Sequence, residues 1–200
     1  MKYEAEVRDL LIENTIRLIA EGGFEKATTR AITYSAPMPE GIKLNEVYIY
    51  RLFGSKERLY EEAFDRLDHE LVYVLLSALK KVERFDEEPR EQIRVIFSEV
   101  WRFLLDHEVR CRSYIRFYYS VYFRGVTLSA HNKLFASVVG EFEPLFKEEA
   151  DVKSVMHSIL TTMLDFAVRI FNGDLEDTEE NEFHIFNVIH STVSIYQKRA

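Results

Sequence analysis

Hydroxyl and cationic side chains fall where short helices of the N-terminal third are expected to begin. Thr28 and Thr29 follow the break at Gly22-Gly23, at positions where a hydroxyl caps a helix. A helix N-terminus offers hydroxyl and backbone N–H donors to a phosphate group. Lys56 adds a positive charge near the start of a later predicted helix. This spacing fits contact with phosphates, although each residue also fits an ordinary role as a cap or a solvated charge.

A second polar set lies around a predicted short helix that begins near Asn45. Asn45, Glu46 and Tyr48 fall on its first turn. In the major groove of DNA an asparagine can read adenine and a glutamate can accept from cytosine, so these three are candidate specificity residues. The Tyr50 hydroxyl is a candidate phosphate contact. Lys43, just before the helix, is another.

The helices that must position these residues follow from hydrophobic spacing and from helix breakers. We predict helices over about residues 3–21, 28–35, 45–52 and 55–82. A helix followed by two short helices is the helix-turn-helix arrangement, whose second short helix enters the major groove.

This N-terminal stretch resembles the tetracycline-repressor (TetR) family of one-component bacterial regulators. The resemblance is carried by Gly23-Phe24, Thr28-Thr29-Arg30, Ile32, Ala36 and, above all, residues 49–59, which read IYRLFGSKERL. It covers about residues 8–60, and beyond them only the helical plan is similar. It implies an all-α fold of about nine helices: a three-helix helix-turn-helix domain over residues 1–60, joined by a long helix to an effector-binding and dimerisation domain over residues 61–200.

The turn of the helix-turn-helix departs from the family pattern. Where the family has a single glycine, this chain has Pro37 to Lys43, about six residues more, and Val47 and Tyr48 replace a small residue and a small hydroxyl residue. Closing the longer loop costs little, since doubling loop length adds only ~0.6 kcal/mol. Two interpretations stay open. The longer turn changes the orientation of the third helix, or it marks a family member whose DNA binding has weakened.

Five further helices are expected in the C-terminal part. They are predicted over about residues 89–106, 110–124, 128–149 and 152–172, and from a capping box at residues 177–180 nearly to Ala200. The last two are apolar over more than one stripe, so one face of each is expected to meet a partner subunit. The resemblance likewise implies a homodimer through these two helices.

An aromatic band over residues 114–123 is the candidate ligand site. A sixth helix would place Tyr114, Phe117, Tyr118, Val121 and Tyr122 on one face, with Phe97 and Trp101 of the fifth helix as companions. Such a stripe also fits an ordinary core. Several tyrosine hydroxyls in one interior need partners, however, and a polar-rimmed apolar cavity would supply them. The predicted ligand-binding residues are therefore Phe97, Trp101, Tyr114, Phe117, Tyr118 and Tyr122.

Charge separates the two parts of the chain. The net charge is −8, yet residues 1–60 carry nine Lys and Arg against nine Asp and Glu, so the whole acidic excess belongs to residues 61–200. Because an acidic body repels phosphate, contact with DNA is expected in the N-terminal third.

The remaining composition predicts a soluble, cytoplasmic protein that is not an enzyme. Cys111 is the single cysteine, the first residues are charged, and no uninterrupted apolar run approaches the ~18 residues of a membrane-spanning helix. No histidine follows an acidic residue at the i−3 spacing of di-iron helical bundles. No cofactor and no metal are predicted.

The sequence therefore predicts a TetR-like regulator, a repressor that binds a palindromic DNA operator as a homodimer and is released by a small hydrophobic or aromatic ligand. The alternative is a TetR-like interaction or ligand-binding protein with weakened or lost DNA binding.

Overall fold

The computed structural model describes residues 2–34, 44–82 and 88–198. Over these residues the chain is helical, as predicted, with an isolated bridge between Phe146 and Gln197 as its extended pairing. The helices are α1 (Lys2–Gly22), α2 (Thr29–Tyr34), α3 (Val47–Phe53), α4 (Lys56–Val82), α5 (Pro89–Asp106), α6 (Glu108–Tyr118), α7 (Val126–Phe142), a 3-10 helix (Glu143–Leu145), α8 (Val152–Phe171) and α9 (Glu179–Val193).

The helix starts reflect local capping. Asn45 caps α3 from two residues before it, because its Oδ1 accepts the Val47 N–H at 3.1 Å. Ser55 caps α4, since its Oγ accepts the Arg58 N–H at 3.0 Å. Between these two helices Gly54 has φ +82°, a conformation that costs other residues energy.

The sixth helix is shorter than predicted. It was expected to reach Arg124 but ends at Tyr118. The Ser120 hydroxyl donates to the Phe117 carbonyl at 2.7 Å and accepts the Tyr122 N–H at 3.1 Å. These bonds compete with the helical ladder. Val121, expected on the aromatic face, is 69% exposed.

The seventh and ninth helices also end early. α7 stops at Phe142 and passes into a 3-10 helix that contains Pro144, because proline cannot continue an α-helix. After α9, residues 196–198 pair with residues 145–147, at the end of the 3-10 helix. The Lys147 N–H donates to the Tyr196 carbonyl at 2.8 Å, and the Lys198 N–H donates to the Leu145 carbonyl at 3.1 Å.

The chain packs as two compact units. The first contains Met1–Asp68 and Val109–His131, and the second contains His69–Glu108 and Asn132–Ala200. The division at residue 60 concerns function and stays a prediction. The first turns of α4 belong to the first unit because they share an aromatic cluster with the N-terminal helices. In this cluster the Phe24 ring lies 5.1 Å from that of Tyr60 and 5.0 Å from that of Phe117.

In the second unit α5, α8 and α9 pack on one another. Phe97 stacks on Trp101 with ring centroids 5.8 Å apart and contacts Phe186 at 5.5 Å. Within the described residues α8 is long and apolar enough to cross a membrane by length and composition alone. It also carries seven buried residues, and a buried core helix passes the same test.

Candidate nucleic-acid interface

The starts of α2 and α3 lie side by side. The Thr29 hydroxyl donates a hydrogen bond to the Glu46 carboxylate. Both helices pack on α1 through buried side chains, Ile32 from α2 and Ile49 from α3. The Asn14 amide of α1 also donates to the Ile32 carbonyl. Packing on α1 therefore fixes the relative position of these two short helices, which would not be stable as isolated helices.

The predicted contact residues on α2 are placed by its cap. The Thr28 Oγ accepts the Ala31 N–H at 3.1 Å, so Thr28 caps α2 as predicted, and its side chain is exposed. Thr29 is half-buried because its hydroxyl is engaged with Glu46. Asn45 and Glu46 are exposed beside them.

Tyr48 faces α1. Its side chain interacts with that of Tyr3 of α1, and the Arg51 guanidinium lies 4.7 Å from its ring centroid. Arg51 in turn forms an ion pair with Glu4 at 3.6 Å. One side of α3 is thus tied to the first helix by polar contacts.

Tyr50 and Lys56 flank the joint between α3 and α4. The side chain of Tyr50 is 54% exposed. The Lys56 Nζ lies 5.4 Å from the ring centroid of Tyr60, within the range of a cation–π contact. Tyr60 is itself fixed, since its hydroxyl donates to the Ala27 carbonyl at 2.6 Å. Lys43 and the turn from Pro37 lie outside the described residues, so both interpretations of that turn remain predictions.

Solved structures share this arrangement over nearly the whole chain. A TetR family transcription regulator of Marinobacter aquaeolei VT8 superimposes with a TM-score of 0.74 at 18% identity, covering 96% of this chain and 98% of that one. A TetR-like transcriptional regulator of Rhodococcus sp. RHA1 gives 0.63 at 18% identity, covering 94% of each chain. The fatty acid degradation regulator FadR of Bacillus halodurans gives 0.60 at 15% identity, covering 90% and 96%.

The chain has the fold of TetR family transcription regulators. The fold implied by the sequence resemblance is thereby confirmed. No protein-family model and no curated protein matches the sequence.

The TetR-like fold divides the predicted ligand residues between the two units. In the second unit Phe97 lines a cavity of about 50 Å³ whose walls are wholly apolar, and Trp101 stacks behind it. The Trp101 Nε1–H is buried and has no hydrogen-bond partner among the described residues. The cavity is lined by Leu75, Ile93, Ile96, Phe97, Val100, Phe142, Phe146, Met156, Ile159, Leu160, Met163 and Ile189.

The other four predicted ligand residues lie in the first unit. Phe117 and Tyr122 line a cavity of about 280 Å³ that also contacts Glu57, Tyr60 and Arg124. Tyr114 and Tyr118 are part of the surrounding ring cluster. From the sequence we expect Phe97 and Trp101 of the fifth helix to accompany the aromatic band of residues 114–123. The structure assigns them to separate clusters, because α6 ends before Tyr122 and α5 packs in the second unit.

Sequence reasoning missed a buried polar group in the first unit. The His131 Nδ1 lies 2.9 Å from an Asp68 carboxylate oxygen, and Asp68 is 2% exposed. Tyr114 hydrogen-bonds to the same carboxylate. Burial raises the pKa of Asp68, although the contacts with His131 and Tyr114 act in the opposite direction. Residues 68, 114 and 131 are too far apart in sequence for spacing to signal this group.

Within the described residues no cluster of three or more His, Cys, Asp or Glu could hold a metal ion.

Proposed function

We propose that the protein is a TetR-like one-component transcription regulator, a cytoplasmic repressor that binds a palindromic operator in double-stranded DNA as a homodimer. The likeness of the whole chain to transcription regulators supports the regulatory role. The observation that carries the DNA-binding proposal is the contact between Thr29 and Glu46, which sets the start of α2 beside that of α3. Exposed hydroxyl and amide groups of both helices then share one surface, as a helix-turn-helix requires.

In this proposal the predicted residues divide by role. Thr28, Thr29, Tyr50 and Lys56 contact phosphates, and Asn45 and Glu46 lie nearest the base edges, with Tyr48 kept as a third proposed specificity residue. Lys43 is kept as a proposed phosphate contact. The two α3 helices of a dimer would enter successive major grooves about 34–36 Å apart, or a multiple of that distance.

The homodimer is proposed to form through α8 and α9. Phe183 and Val188 of α9 are 56% and 49% exposed in the protomer, and Phe166 and Phe171 of α8 are half-buried. Large apolar side chains of this kind on two terminal helices are typical of a surface that a partner covers.

The effector is proposed to be a small hydrophobic or aromatic molecule that enters the apolar cavity beside Phe97. Sites for drug-sized ligands usually measure about 300–1,000 Å³, whereas this cavity is about 50 Å³. Binding therefore has to move its walls. α4 contributes Leu75 to the cavity and belongs to both units, so a shift of α4 is the proposed route by which the effector changes the spacing of the two α3 helices.

Two observations favour a second candidate, a TetR-like interaction protein without DNA binding. Glu46 places a carboxylate on the proposed DNA surface, and residues 1–60 have no net positive charge. Both features weaken attraction to phosphate.

Selection of bound duplexes from a random DNA pool, followed by anisotropy titrations at several salt concentrations, tests the first candidate against the second. Lys56→Ala should reduce the salt slope by about two per dimer, since each phosphate contact contributes about 0.9. Lys133→Ala, which changes an exposed lysine of the second unit, is the matched control and should leave the slope unchanged. An absence of binding to any duplex at low salt would favour the interaction protein.

The effector proposal is tested with decanoate and naphthalene as probes, the first because one structural neighbour is a fatty acid degradation regulator. A probe that enters the cavity should raise the melting temperature and weaken operator binding. Leu160→Trp should fill the cavity and abolish both effects, whereas Tyr73→Trp, at a 73% exposed position, should not. Equal responses from the two variants would place the probe elsewhere.

A further inference from the structure

Most polar side chains of α3 and its preceding residues are already engaged within the protomer. The Glu46 carboxylate accepts from Thr29, and Tyr48 interacts with Tyr3 and is covered by Arg51. The Asn45 Oδ1 accepts the Val47 N–H. These contacts reduce the groups with which α3 could read bases through hydrogen bonds.

The side of α3 that remains exposed is apolar at its start. Val47 is 66% exposed, and Tyr50, three residues on, is 54% exposed. Residues at this spacing are neighbours on one helical face. Ile49 and Phe53, at 0% and 7%, bury the opposite side against the protomer. Val47 therefore presents most of its aliphatic side chain to solvent instead of to the described core of the protomer.

The major groove offers one apolar group to such a side chain, the C5-methyl of thymine. We propose that Val47 packs against a thymine methyl in each half-site of the operator, with the neighbouring Tyr50 hydroxyl on the backbone. This inference rests on the proposed function, because it requires α3 to lie in the groove. It makes Val47 a specificity residue that reads shape and apolarity instead of hydrogen bonds.

Replacing thymine by deoxyuridine tests this contact, since it removes the methyl group and leaves all hydrogen-bonding groups in place. Each thymine of a selected operator is replaced in turn, and affinity is measured by anisotropy. One thymine per half-site should show a loss of about fourfold, as expected for one buried methyl-sized group. Replacing both symmetry-related thymines should cost about sixteenfold.

The variant Val47→Ala tests the same contact from the protein side. It should bind the thymine operator several-fold more weakly than the wild type and no longer distinguish thymine from deoxyuridine. Val121→Ala is the matched control, because Val121 is 69% exposed in the same unit but lies outside α3. This control should keep the full discrimination.

The remaining outcomes overturn the inference in distinguishable ways. Failure to bind any duplex would remove the proposed function together with it. Binding that is indifferent to deoxyuridine at every position, or discrimination that survives Val47→Ala, would remove the inference alone. A change in oligomeric state of Val47→Ala in light scattering would show that Val47 lies at a contact between copies of the chain.

Discussion

Tyr60 joins the helix-turn-helix segment to α4 through a single buried hydroxyl. The side chain is 1% exposed, and its hydroxyl donates to the Ala27 carbonyl just before α2. The same ring faces the Lys56 ammonium. The position of α2 and that of a proposed phosphate contact thus depend on one residue.

Tyr60→Phe should lower the free energy of unfolding by about 1–3 kcal/mol, because the Ala27 carbonyl would stay buried without its donor. Urea unfolding followed by circular dichroism measures the loss. Tyr73→Phe is the control: its side chain is 73% exposed, so the change should stay within about 0.5 kcal/mol. Equal losses in the two variants would contradict the role assigned to the Tyr60 hydroxyl.

The pKa of Asp68 gives stability a pH dependence with an unusual sign. Burial raises this pKa above its ordinary value of 3.8, so between that value and the raised one the folded chain binds more protons than the unfolded chain. The contribution of Asp68 to the free energy of unfolding therefore falls as pH rises through this window. Below the window it is fully present.

Asp68→Asn removes this titration. Urea unfolding of both proteins at fixed ionic strength from about pH 4 upward should show the wild type losing stability relative to the variant as pH rises. A difference that grows in favour of the wild type with rising pH would contradict the sign. Asp165→Asn, at an exposed position of α8, should show no such trend.

At the scale of helices, the sequence predicted the existence and order of the nine α-helices found in the described part of the chain. It was weaker at their ends, where side chains compete with the backbone. The end of α6 depends on two hydrogen bonds of Ser120, which hydrophobic spacing does not register. Around the candidate site, Thr28 and Ser55 could be recognised as caps from sequence. The coupling of Tyr48 to Tyr3 could not, because it depends on how α3 packs against α1.

The joint between α3 and α4 supports a prediction at the same scale. Gly54 has φ +82°, and no atom of the described residues lies within 4 Å of an added Cβ, so Gly54→Ala introduces backbone strain without a clash against them. It should cost about 1–3 kcal/mol and weaken operator binding by tilting α3. Gly140→Ala, in the exposed part of α7 where the added Cβ meets no atom of the described chain, should stabilise by about 0.5–1 kcal/mol.

Thermal unfolding and anisotropy measure both glycine variants. If Gly54→Ala and Gly140→Ala shift the melting temperature in the same direction, the positive φ of Gly54 does not determine the geometry of the joint.

At the scale of the whole molecule, the proposed mechanism needs two copies of the chain. Net charge does not attract the protein to DNA, since the overall charge is −8 and residues 1–60 are neutral. A single protomer presents one short helix to the groove. Two α3 helices bound to one operator combine their contacts, because the second binds at a high effective concentration once the first is in place. In the proposed mechanism, weak electrostatic attraction therefore makes dimerisation a condition of operator binding.

Phe183→Glu combined with Val188→Glu tests this dependence, since both side chains are about half exposed on α9. Charges buried in a subunit interface are costly, so the variant should sediment as a monomer where the wild type sediments as a dimer. It should lose most affinity for a palindrome and bind an isolated half-site as weakly as the wild type does. Tyr73→Glu, an equally drastic change at an exposed position of α4 outside these helices, should remain dimeric.

If the double variant stays dimeric and keeps its affinity for the palindrome, α9 is not the interface. If the wild type is monomeric at the concentrations at which it binds a palindrome, the dependence on dimerisation is wrong, and the affinity has to come from the contacts of a single α3.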